Sequence, residues 1–129
     1  MNKNLLIAAS AFLISCSVSP KHAEVIARFG NINFTDGIDK TEAISMAHYF
    51  LYQTYQERNY YISKPDIKDG VDNQEWVIGF MPFLRPLILP TPLIVMINKK
   101  TGEFKNTVFT PNGNKIDVSI ETIDLKSLK

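Results

Sequence analysis

The alternation of apolar and polar positions changes rhythm along the chain, and each change marks an element. Behind Ser19-Pro20, Ala23, Ile26 and Ala27 fall at helical spacing as far as Gly30. Serine at the capping position and proline at the first helical position predict a short first helix there. Asp39 followed by Glu42 has the form of a reciprocal helix cap. Ile44, Ala47, Leu51 and Tyr55 then recur on one helical face, flanked by Ala43 and Phe50. The spacing predicts an amphipathic helix from Lys40 to Arg58. After Pro65 the rhythm becomes extended. Asp66 to Gln74 surrounds Gly70 with acidic and amide residues and reads as a solvated turn.

Trp76, Ile78 and Phe80 alternate as a strand, and Leu93 to Ile97 is a nearly unbroken β-branched run. Asn98 to Gly102 supplies a tight turn, with Phe104 to Phe109 returning as the antiparallel partner. Pro111 to Asn114 makes a second turn, and Ile116, Val118 and Ile120 alternate in a last strand from Lys115 to Ile120. Helix first and then three or four antiparallel strands predict an α+β domain over residues 20–129, a long amphipathic helix packed on a curved sheet. Trp76 is then a core anchor against the Ile44/Leu51 face of the helix.

Between the two strongest strands, Pro82 to Pro92 carries four of the seven prolines. Proline lacks a ladder donor, so this stretch is a stiff connection or an edge. Its apolar side chains either cover the open edge or mouth of the sheet or form an interface. In the second reading Phe83, Arg85, Leu87 and Ile88 are the contacts and Arg85 the anchor, because a pre-restricted segment loses little entropy on docking and arginine is enriched at interface hot spots.

Composition narrows the chemistry. The 129 residues hold 14 Lys+Arg against 13 Asp+Glu, too balanced for the basic stripe of a nucleic-acid binder. With 45% hydrophobic residues the chain is not a disordered one. One cysteine excludes an internal disulfide, and together with two histidines it cannot build a thiolate–imidazole zinc site. Phosphate-cradling glycine motifs and the usual serine-nucleophile motifs are missing, so no catalytic residue and no cofactor is assigned. The one acid–base pairing on offer is His48 with Tyr52 or Asp66, in a pocket between helix and sheet. The plainer reading makes His48 a boundary residue packing its ring, and Tyr49, Tyr52, Tyr55, Tyr60 and Tyr61 suppliers of core and rim surface. Asp66, Asp69, Asp72 and Asn73 lack the spacing and closing glutamate of a calcium loop, so no metal site is expected.

The first fifteen residues read as an address. Met1 to Asn4 is a short positive head, and Leu5 to Ile14 is an apolar run broken only by Ser10. It is too short to span a membrane and matches the core of a secretory signal. Its end, Leu13-Ile14-Ser15-Cys16, resembles a bacterial lipoprotein signal. That resemblance implies a diacylglyceryl group on Cys16, cleavage of residues 1–15, and a tether over residues 16–19. Ser17 after the cysteine implies retention at the outer membrane, facing the periplasm. Several acyl chains together anchor stably, so the chain would meet the membrane through its lipid.

From Thr41 to Gly102 the chain resembles a family of small bacterial immunity proteins with a nuclear-transport-factor-2-like fold. The carrying features are Glu42-Ala43-Ile44 opening a helix that ends in Tyr55-Gln56-Glu57, then Lys64-Pro65, then Glu75-Trp76-Val77-Ile78-Gly79. The last is Val95-Met96-Ile97-Asn98-Lys99-Lys100-Thr101-Gly102-Glu103. Two features depart from the pattern: Pro82 to Pro92 replaces a glycine-rich stretch, and a further strand follows the hairpin. The resemblance implies a cystatin-like or nuclear-transport-factor-2-like cone and a protein that neutralises a cognate antibacterial toxin by binding it. The alternatives are an outer-membrane pilotin or secretion-system accessory and a small enzyme using the helix–sheet pocket.

Overall fold

The computed structural model describes residues 20–84 and 91–128. Among these residues two α-helices, α1 (His22–Gly30) and α2 (Lys40–Gln53), pack on an open antiparallel sheet of five strands. These are β1 (Asp66–Asp69), β2 (Glu75–Phe80), β3 (Leu93–Asn98), β4 (Phe104–Asn112) and β5 (Lys115–Ile123), hydrogen-bonded in chain order. The architecture is α+β, as expected.

The cap that starts α2 is the one the sequence predicts. Asp39 Oδ1 accepts the Glu42 N–H at 2.8 Å, and Glu42 Oε1 accepts the Asp39 N–H at 3.0 Å. The helix is shorter than predicted, ending at Gln53 instead of Arg58. The Thr54 hydroxyl donates to the Phe50 carbonyl at 2.7 Å, and Tyr55 takes a left-handed conformation with φ of 59°. Tyr55, expected on the buried stripe, is 71% exposed. The remaining Gln56–Arg58 forms a separate 3₁₀ turn. The buried face of α2 is also broader than the predicted stripe. Met46, Ala47, Phe50 and Leu51 lie in the core, whereas Ile44 sits at its margin.

The first helix begins at His22, with Lys21 in the capping position, and Ser19 lies outside the described residues. Val25 and Phe29 are its buried residues, while Ala23, Ile26 and Ala27 face solvent. The larger side chains choose the face: the Phe29 ring stacks on Tyr49 with centroids 3.9 Å apart.

The register of the sheet sets Trp76 against Ile97, Ile78 against Val95, Phe80 against Leu93 and Ile97 against Phe104. Directly opposed residues point to the same face, so these side chains form one apolar layer under the helices. Residues 66–69, predicted to be turn, pair with 76–79 as an edge strand, and only 70–74 turns. An edge strand places one residue in two toward the core; here Ile67 alone is apolar among Asp66, Lys68 and Asp69, so its strand pattern is hidden. Trp76 is an anchor at the rim of the core. It is partly buried against the core cluster, and its indole N–H donates to the Ile38 carbonyl at 2.8 Å.

The turn between β3 and β4 is as predicted. Asn98 Oδ1 accepts the N–H groups of Lys100 and Thr101, each at 2.9 Å, and Gly102 has φ of +76°. A Cβ on Gly102 would also lie 2.7 Å from the Phe34 ring, so glycine is required twice over.

The final hairpin is longer than predicted. It pairs from Phe104 with Ile123 out to Asn112 with Lys115, closing over Gly113-Asn114 with Gly113 at φ of 64°. Only residues 104–106 of β4 pair with β3. There the Thr107 hydroxyl closes the ladder, accepting the Ile94 N–H at 3.3 Å and donating to the Ile94 carbonyl at 3.1 Å. Beyond it β4 has β5 as its partner strand, which makes a place for Pro111 in a strand. Every residue from Thr110 to Thr122 is exposed, so this ribbon stands clear of the helices.

Candidate functional site

The described start of the proline-rich segment is stitched to the loop after α2. Tyr60 and Pro82 form an isolated antiparallel bridge. The Tyr61 N–H donates to the Met81 carbonyl at 2.8 Å, and the Phe83 N–H to the Asn59 carbonyl at 2.9 Å. Both bonds use residues flanking the bridge, so Pro82 occupies a position where its missing N–H is not needed. The rings of Tyr61 and Phe83 then meet edge to face at 4.4 Å. Around them Tyr61, Met81 and Leu84 are exposed, Leu84 to 83%. The antiparallel bridge sets Tyr61 opposite Met81 and on the same side as Phe83, so these three apolar or aromatic side chains lie together, where scattered single apolar residues would be ordinary.

Of the residues expected at an interface, Phe83 belongs to this patch; Arg85, Leu87 and Ile88 lie outside the described residues. So does Cys16. Tyr61 is the contributor that sequence reasoning missed. The sequence places it with the other tyrosines as core and rim surface, and only the tertiary bridge carries it to Phe83.

The groups of the possible acid–base pocket are engaged elsewhere. His48 is buried, and its Nε2 donates to the Ile62 carbonyl at 2.7 Å, which fixes the proton on that nitrogen. Burial, chiefly, holds its pKa below 6.5; the Ile62 carbonyl opposes this and Arg28 adds to it. The Tyr52 hydroxyl donates to the Pro20 carbonyl at 2.6 Å, and its ring stacks on His22. Asp66 is exposed at the start of β1. A cleft of about 520 Å³ does open between the helices and the base of the final hairpin. Phe29, Phe34, Met46, Phe104 and Leu125 line it, with Glu103, Asp124 and Lys126 at its polar margin. No histidine lines it.

The acidic turn is occupied by a side chain of the protein itself. The Lys99 ammonium reaches Asp69 Oδ1, donates to Asn73 Oδ1 at 2.8 Å and sits 4.3 Å over the Trp76 ring. Among the described residues no cluster of histidine, cysteine and carboxylate side chains is arranged to hold a metal ion. Nor is any described helix long and apolar enough to cross a membrane. No family model matches the chain, and neither a curated protein nor a solved structure matches it.

Proposed function

We propose that the chain is an immunity lipoprotein: acylated at Cys16, held at the outer membrane facing the periplasm, and binding a cognate antibacterial toxin. On this reading the α+β body is a variant of the nuclear-transport-factor-2-like cone. The observation that carries it is the exposed Tyr61 ring packed edge to face on the half-buried Phe83, with Met81 and Leu84 exposed beside it at the mouth of the proline-rich segment. Aromatic rings held by a backbone bridge are rigid before contact, which reduces the ordering cost of docking. The lipoprotein-like Leu13-Ile14-Ser15-Cys16 boundary supports the envelope location.

The test is co-purification with the product of the adjacent toxin-like gene, followed by titration of folded variants. Arg85→Glu and Phe83→Ala should each weaken binding at least tenfold, about 1.4 kcal/mol. Unchanged affinity in both would move the interface away from this segment. Capture of a secretin or pilus component in place of a toxin would make the protein an assembly accessory, and turnover of an envelope substrate would make it an enzyme.

A further inference from the structure

The two sides of β5 differ in a way that the toxin-binding proposal leaves unused. Among the described residues β5 has β4 on one side and lies at the end of the strand order, so its other side is an open edge. That edge is nine residues long, and Lys115 to Thr122 are exposed on both faces. Ile116, Val118 and Ile120 share the face turned away from the helices, each between 52% and 59% exposed. Lys115, Asp117, Ser119 and Glu121 alternate with them on the other face. Long open edges with apolar alternation favour pairing with another strand.

We infer that β5 pairs antiparallel with β5 of a second copy of this chain, about a two-fold axis through Val118, to give a continuous ten-stranded sheet. A two-fold axis normal to the sheet keeps each face on its own side, so it must pass through a residue opposed to itself. Registers centred on Asp117, Val118, Ser119 and Ile120 are then open. Centring on Ser119 sets Asp117 against Glu121 twice, and centring on Asp117 opposes two copies of that carboxylate; both place like charges directly opposite, which is destabilising. Centring on Val118 instead sets Lys115 against Glu121 twice, Asp117 against Ser119, and Ile116 against Ile120 around a Val118 pair. One register therefore joins opposite charges on one face and apolar side chains on the other. Centring on Ile120 pairs Asp117 with Ile123 and Ser119 with Glu121, so it gains no opposite-charge pair, and of the four registers the Val118 one alone does.

The register makes the test specific. The full chain carrying Cys16→Ser, so that no acyl anchor contributes, is followed by sedimentation over a concentration series. Circular dichroism verifies the fold of each variant. The parent should dimerise. Glu121→Lys alone and Lys115→Glu alone should each weaken dimerisation at least about tenfold, because each sets like charges opposite at both ends of the pairing. The double variant should recover the parental affinity. A monomeric parent at every concentration, or a dimer indifferent to these charge changes, would overturn the inference, the second by placing the two-fold elsewhere. Both results are independent of whether a toxin binds the Tyr61–Phe83 patch.

Discussion

The two edges of the sheet are built in opposite ways. β1 is four residues long, carries Asp66, Lys68 and Asp69, and is held to the sheet by the Lys99 ammonium lying between Asp69, Asn73 and the Trp76 ring. β5 is nine residues long, alternates Ile116, Val118 and Ile120, and projects beyond the helices. Shortness and charge are established ways of discouraging edge-to-edge pairing. The chain uses both on β1 and neither fully on β5, so the same sheet has one guarded edge and one edge suited to a partner strand. The difference also separates stability from association. Side chains that hold the fold cluster around β2 and β3, and those of the distal ribbon contribute little burial.

Trp76→Ala should break the guarded side most severely. It removes a ring packed on the core, leaves the Ile38 carbonyl without its indole donor and takes away the surface under Lys99. A loss of about 3 kcal/mol is expected, with a fall in Tm of ten degrees or more. Thermal melting within a degree or two of the parent would contradict the anchoring role. Lys99→Met should cost about 1 kcal/mol, since the ion pair is partly exposed and the contact with the ring is a modest addition. Its clearer signature is local: amide exchange in 66–69 should accelerate while 115–121 is unchanged.

His48 gives the smallest effect and the one that separates the two regions by pH. Its folded pKa lies below 6.5, so below that pH the unfolded chain takes up a proton that the folded chain does not. Stability should therefore decline as pH falls through 6.5 and level off once His48 itself protonates in the fold. His48→Gln, which keeps an N–H donor for the Ile62 carbonyl, should flatten this slope. β5 contains no histidine, so its self-association should not follow the same profile. Denaturant titrations at several pH values check the first point and sedimentation the second.

Where one short-range pattern decided the structure, it could be read from the sequence. The Asp39/Glu42 cap, the β3 run and the Asn98–Gly102 turn are such cases, because each is fixed by residues within a few positions. β1 escaped because an edge strand with a single apolar residue has the composition of a turn. The end of α2 escaped because Thr54 and Tyr55 stop it through a hydroxyl bond and a left-handed backbone, neither of which disturbs the apolar period. The candidate site was legible at Phe83 and not at Tyr61, since a backbone bridge from Tyr60 to Pro82 brings the two rings together. The alternation in β5 was legible as a strand; that its apolar face turns away from the helices was not, because the long-range register with β4 sets it.

The most direct test of the contrast between the edges is amide hydrogen exchange of the same chain at high and at low protein concentration. Protection in 115–121 should rise with concentration, while protection in 66–69 stays constant. Concentration-independent exchange along β5, or a rise along β1 instead, would contradict the assignment of one guarded edge and one pairing edge.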